Sequence, residues 1–160
     1  MKSRKHKKVL VICMFDSVHF ARWLAQFKDK EIDFLLFPSS PHRKVHKKLQ
    51  ALLNSEMSSS YRLFPLSKYF GLPFWVADKF LGNVIRGSLV ARAIKNFQPE
   101  IVHALELQNA GYVTSKALES LNPKNLKFIA TNWGSDIYWF RRYPKHEALL
   151  RKLLTQADAY

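Results

Sequence analysis

Short apolar runs alternate along this chain with segments whose apolar residues recur at helical spacing, and few folds accommodate that rhythm. Val9 to Met14 is a near-continuous β-rich run, as expected of a strand covered on both faces. Asp16-Ser17 follows it and caps a helix whose residues Phe20, Ala21, Leu24, Ala25 and Phe27 share one face. Residues 31–37 form a second strand, closed by Pro38-Ser39-Ser40-Pro41. A basic cluster, His42 to Lys48, opens a helix to about Leu53, and a polar loop covers 54–60. Residues 61–64 suit a short third strand. The spacing of Phe80, Leu81, Val84, Ile85, Leu89, Ala93, Ile94 and Phe97 predicts one helix over about 73–97, weakened at Gly82 and Gly87 by roughly 1 kcal/mol each.

Gln98-Pro99-Glu100 ends that helix, and residues 101–105 make the next strand. A loop over 106–111 leads to a helix over 112–121, stopped by Asn122-Pro123. Residues 126–130 read as a buried strand. It runs into Thr131-Asn132-Trp133-Gly134-Ser135-Asp136, a sharp turn in which Ser135 or Asp136 can cap the next helix. An amphipathic helix over 145–156 precedes Ala157 to Tyr160, which resembles the start of another strand.

This β-α-β-α order predicts an α/β, Rossmann-like, mainly parallel sheet with helices on both faces. Right-handed crossovers put the strand-to-helix loops on one edge, where open α/β sheets bind ligands. Three of those loops carry polar groups: Asp16, Ser17 and His19; Glu106, Gln108 and Asn109; Trp133, Gly134, Ser135 and Asp136. The first glycine of the chain is Gly71, so no G-x-G-x-x-G follows the first strand, which argues against a dinucleotide-dependent oxidoreductase.

The 160 residues suffice for one domain with a core, divided here into a basic tail, 1–8, and a domain, 9–160. The formal charge of +14 calls for a polyanion, an anionic membrane surface or an absent acidic partner, unless it is simply a solvated face. The lone cysteine, Cys13, sits in an apolar run and supports neither a disulfide nor a cysteine metal site. No set of histidines has metal-ligand spacing, so no metal is expected. The basic start and Val9–Phe15 resemble a signal peptide but break at Asp16 without a small-residue cleavage site. The expected location is therefore cytoplasmic, with peripheral attachment to the inner membrane face. Aromatics and cations interleave over 61–81, which suits packing of the aromatics onto the sheet with the cations in water, or a bilayer headgroup zone.

The stretches VLVICMFDSVHFARWLAQF, PEIVHALELQNAGY, ATNWGSDIYWF and LLRKLLTQADAY together resemble the N-terminal, acceptor-side domain of GT-B glycosyltransferases of the retaining family-four type. The resemblance covers nearly the whole chain. It implies a two-domain enzyme whose C-terminal domain binds most of a nucleotide-sugar donor, with catalysis in the cleft and no bound cofactor or metal. The family's donor domain is absent from this sequence, and the domain resembled continues past residue 160. The chain alone is then expected to be inactive. Two departures matter. Phe15-Asp16-Ser17 stands where many relatives have a glycine-rich loop, and Trp133 stands where many place a histidine. Trp133 can stack on a sugar but cannot act as an acid or base. An ionic role passes to Glu106, Asp136 or His103.

The catalytic candidates are therefore Glu106 and Asp136. Glu106 is placed to orient an acceptor hydroxyl or to cap a helix; Asp136 is placed to line the cleft or to organise its loop. Substrate-binding candidates are Asp16, Ser17, His19, His103, Gln108, Asn109, Trp133, Gly134 and Ser135. His19 could donate to a phosphate at a helix N-terminus or lie at the surface. His103 could face substrate or be a satisfied core histidine. The expected partners are a nucleotide sugar, a glycan or lipid-linked acceptor, and a donor domain or partner subunit. The rival readings are a non-catalytic membrane-docking subunit and a basic nucleic-acid binder. The second is weakened by scattered cations and by the lack of a groove-reading motif.

Overall fold

A computed structural model describes residues 6–41, 44–55, 60–65 and 71–160. The start of the basic tail, His42 and Arg43 of the basic cluster, 56–59 of the polar loop, and Lys68, Tyr69 and Phe70 of the aromatic stretch lie outside them. Five strands, β1 (Lys7–Cys13), β2 (Ile32–Pro38), β3 (Tyr61–Leu63), β4 (Ile101–Leu105) and β5 (Lys127–Thr131), form one parallel sheet in the order β3-β2-β1-β4-β5. β1 starts at Lys7, so the last two residues of the expected tail belong to the strand.

Strand alternation divides the core in two. On one face, Val9, Val11 and Cys13 pack with Phe20 and Leu24 of α1 (Val18–Ala25) and Leu49 of α2 (Lys47–Leu53). On the other, Leu10, Ile12, Val102 and Phe128 pack under α4 (Val84–Phe97), α5 (Tyr112–Leu121) and α7 (Pro144–Gln156). Burial on both sides explains why β1 is continuously apolar from Val9 to Cys13. α4 and α5 stop at Gln98 and Asn122, both left-handed and both followed by proline, which cannot continue a helix.

The single helix expected over 73–97 is two: α3 (Leu72–Phe80) and α4. The chain breaks at Gly82 and Asn83, whose φ values are 68° and 64°. Gly87 instead stays inside α4, where a Cβ would lie 2.9 Å from the Lys116 side chain on α5. Neither Ser135 nor Asp136 caps α6 (Ser135–Tyr138); Gly134, at φ 78°, holds the N-cap position, and its N–H donates to Asn132. The loop expected after β4 is a π-helical turn, Leu107–Gly111, running directly into α5. Ala159 pairs in parallel with Ile129, so the chain past α7 does lie along β5 as a strand would.

Candidate functional site

β1 leads through α1 to β2 on one side, while β4 leads to β5 on the other. The order reverses between β1 and β4, and in open α/β sheets the crevice that takes the ligand lies at the carboxyl ends of the strands at such a switch point. The sequence candidates gather around that seam.

Asp136 ties two of the loops together. Its Oδ2 accepts from the backbone N–H of Leu107 at 3.1 Å and of Trp133 at 3.2 Å, and its carbonyl accepts from Gln108 Nε2 at 2.8 Å. The carboxylate is buried. Trp133 is fastened by Nε1, which donates to the Leu105 carbonyl at 2.8 Å, and leaves its ring partly exposed beside His19, 5.6 Å between centroids. Ser17 caps α1, its Oγ accepting from Phe20 N–H, while Asp16 and His19 are exposed at the rim. Ser135 is exposed on the first turn of α6.

Glu106 is the unusual residue. It is 5 % exposed, and its φ of 152° with ψ of 153° is a conformation otherwise nearly confined to glycine. Its Oε2 accepts from Asn109 Nδ2 at 3.4 Å. Ser39 Oγ lies near enough to stabilise its charge, yet Ser39 Oγ, Glu106 Oε1 and Asn109 Oδ1 are all buried without a hydrogen bond of good geometry. Burial pushes the carboxyl pKa up, with Asp136 adding to the effect and Ser39 and Asn109 opposing it.

Behind Ser39 stands a buried ion pair that the sequence reading did not single out. Arg86 Nε donates to Asp78 Oδ2 at 2.6 Å, Nη1 to the Ser39 carbonyl at 3.0 Å and Nη2 to Asn83 Oδ1 at 2.6 Å. Asp78 Oδ1 also accepts from Ile85 N–H at 2.7 Å at the start of α4. The Trp75 ring lies 4.1 Å from Lys79 Nζ and 5.4 Å from the Arg86 guanidinium, and its own Nε1 is buried without a partner. A signal was available: Asp78 is the lone carboxylate between Leu72 and Phe97.

His103 stands apart from this cluster. On β4 it faces the α1 layer, edge-on to Trp23 at 5.1 Å, with Nε2 on Thr131 Oγ1 at 2.7 Å. Its burial lowers its pKa to about 4, so it is neutral near pH 7. Among the described residues no group of three His, Cys, Asp or Glu could hold a metal ion.

The strain at Glu106 gives a stability prediction. Glu106→Gly removes a backbone penalty of about 1–3 kcal/mol, set against about 0.5–1 kcal/mol of extra chain entropy. The variant is expected to be more stable than wild type by about 1–2 kcal/mol at pH 7 in urea unfolding. Glu106→Ala keeps the disfavoured φ and should fall below the glycine variant. An alanine variant at least as stable as the glycine one would show that the backbone carries no strain. The folded state holds the Glu106 proton more tightly than the unfolded chain does. Its stabilisation is therefore lost as pH rises from the unfolded value through the folded one, and the advantage of glycine grows across that window.

Residues 8–159 match the family described as glycosyl transferase 4-like. No curated protein matches the chain. Among solved structures it is similar to the Bordetella bronchiseptica enzyme WbmG in complex with NAD, with TM-score 0.53 and 11% sequence identity over 99% of this chain and 52% of that one. The same enzyme with NAD and UDP gives TM-score 0.54 and 11% identity, covering 98% and 52% of the two chains. The chain thus spans about half the length of that enzyme. At this identity the likeness is one of fold.

Proposed function

The chain belongs to the glycosyl transferase 4-like family, and on that premise we propose that it is the acceptor-binding half of a sugar transferase using a nucleotide-sugar donor. The observation that carries the reading is Glu106: a buried carboxylate in a disfavoured backbone conformation, with Oε1 unpaired just past the carboxyl end of β4. Strain of that kind persists where surrounding structure enforces it, and it clusters at functional sites. Glu106 Oε1 accepts a hydrogen bond from the acceptor hydroxyl and orients its oxygen towards the donor sugar. Asn109 Oδ1 and Ser39 Oγ, also unpaired, bind neighbouring hydroxyls. Asp136 fixes the positions of the β4 and β5 loops and acts as a positioning residue. Trp133 and His19 form the rim against which a sugar ring stacks.

The donor half comes from a further domain or a partner subunit, and the site works at an anionic membrane face. The +14 charge and the exposed Tyr138, Trp139 and Tyr143, with Arg142 stacked on the first two, support that placement. No helix among the described residues is long and apolar enough to cross a membrane.

The test uses the protein purified from its source cells, its own membranes and a panel of radiolabelled nucleotide sugars. One donor should label a membrane or glycan product. Glu106→Gln, which keeps the shape and loses the charge, should lower kcat by about 100-fold while KM for the donor changes little, as expected when a reacting group is misplaced. Failure of every donor to label a product, or undiminished transfer by the variant, would refute the assignment.

A further inference from the structure

α3 inverts the usual pattern of a surface helix. Its one buried residue is the charged Asp78. Three of its large apolar residues are in solvent, Phe80 88% exposed, Leu72 60% and Val76 39%, while Phe74 and Trp75 are half-buried; Leu81 and Val84 extend the exposed surface beyond the helix. An apolar face left uncovered beside a site marks something that binds there.

Between α3 and the first turns of α7 lies a cavity of about 320 Å³. Trp75, Val76, Phe80 and Leu149 make it apolar, and Lys79 and Lys145 bring cations to it, while no carboxylate lines it. Tyr112 and His146 close the inner end, joined by a 3.2 Å contact between the hydroxyl and Nδ1. The two lysines converge there: burial lowers the His146 pKa, and Lys79 and then Lys145 lower it further. Burial and the nearby Arg86 likewise lower Lys79, while the Glu106 carboxylate opposes them. Positive charge is thus concentrated at the mouth of an apolar hollow without an opposing lining charge, which favours an anion. The cavity borders the crevice: Asn83 lines it and holds Arg86, which reaches Ser39 beside Glu106.

We propose that this cavity holds the phosphate and the first part of the hydrocarbon chain of a single lipid phosphate. The phosphate sits between Lys79 and Lys145, and the chain runs over Trp75, Val76 and Phe80 along the exposed face of α3. This rests on the acceptor-site reading above and deepens it: the acceptor is a lipid-linked phosphate whose sugar hydroxyls meet Glu106. Charge complementarity selects an anionic head, and the adjoining apolar face selects a hydrocarbon tail over a free phosphate.

Calorimetric titration of the 160-residue chain tests this without any nucleotide sugar. The probes are dodecyl phosphate below its micelle concentration, inorganic phosphate, and the uncharged dodecyl maltoside. Dodecyl phosphate should bind saturably and at least about tenfold tighter than either other probe, because it alone meets both halves of the site. Lys79→Glu with Lys145→Glu should weaken it by about 50-fold, and Val76→Asp by about 10-fold. A control pair of equal charge change on the far layer, Lys28→Glu with Lys30→Glu, should stay within about threefold, the residue of bulk charge. Equal binding of inorganic phosphate, equal loss in the control pair, or binding only to vesicles of phosphatidylglycerol in phosphatidylcholine and not to the monomeric probe would each overturn the proposal. An active transferase that ignores dodecyl phosphate would overturn the lipid-phosphate inference and leave sugar transfer standing. Binding without transfer activity would do the reverse.

Discussion

Asp78→Ala is expected to destabilise the chain by about 3–5 kcal/mol, the cost of stranding a buried charge without its partner. Asp78 is fully buried and the Arg86 side chain is 7% exposed, so water reaches neither well. Burial lowers the Arg86 pKa, and the bond to Asp78 opposes that; since guanidinium does not deprotonate in proteins, the lone charge would have to stay or unfold its surroundings. The substitution also strips the Ile85 N–H of its acceptor and loosens the start of α4. The double variant Asp78→Ala, Arg86→Met separates the two losses. It should recover all but about 1–2 kcal/mol, the share of the lost cap. Urea unfolding of the three chains gives the values. A loss below about 1 kcal/mol in the single variant would put the pair in the class of exposed ion pairs. A double variant as unstable as the single would assign the loss to the cap.

The second large effect is a pH dependence written into His103. Burial lowers its folded pKa from 6.5 to about 4. Between those values the unfolded chain binds a proton that the folded chain refuses. The contribution to stability is therefore complete above pH 6.5 and is lost as pH falls through about 4. The shift corresponds to about 3 kcal/mol. His103→Gln has no such proton to take up, and its amide can still bond Thr131 Oγ1. Wild type should lose about 3 kcal/mol more than the variant between pH 7 and pH 4, measured as the difference of their unfolding free energies. The opposing trend from Glu106 is present in both chains and cancels. Parallel curves for the two proteins would mean that the histidine is hydrated when folded.

The sheet was legible because burial on both faces leaves a strand continuously apolar, as in Val9 to Cys13. The candidate loops were legible because polar residues sit in the turns that follow strands: Glu106 directly after β4, and Asp136 at the far end of the turn after β5. The second layer of the site was hidden by two left-handed residues in succession. Read as a single helix, Asp78 and Arg86 are eight residues apart, about 12 Å along the axis, and cannot touch. The break at Gly82 and Asn83 folds them into contact at 2.6 Å. Ser39 was hidden differently, because Ser-Ser between prolines reads as a turn, and only the fold reveals that this turn stops beside Glu106. The α6 cap misled because Asp136 has the right chemistry for a cap but spends its carboxylate on Leu107 and Trp133.

The seam between β1 and β4 has a consequence for how the chain is made. Val9 meets Ile32's strand soon after it is synthesised, but it meets Ile101 only when most of the chain has emerged. The β1-β2-β3 half can close early through short loops, whereas the β1–β4 pairing closes the longest loop of the sheet and bears the largest entropic cost. Until then β1 keeps an open, apolar edge, the kind of template on which chains pair wrongly. The seam between β1 and β4 is thus the line of the sheet with the highest entropic cost to close, and the edge it leaves open is the one the sheet covers at that cost.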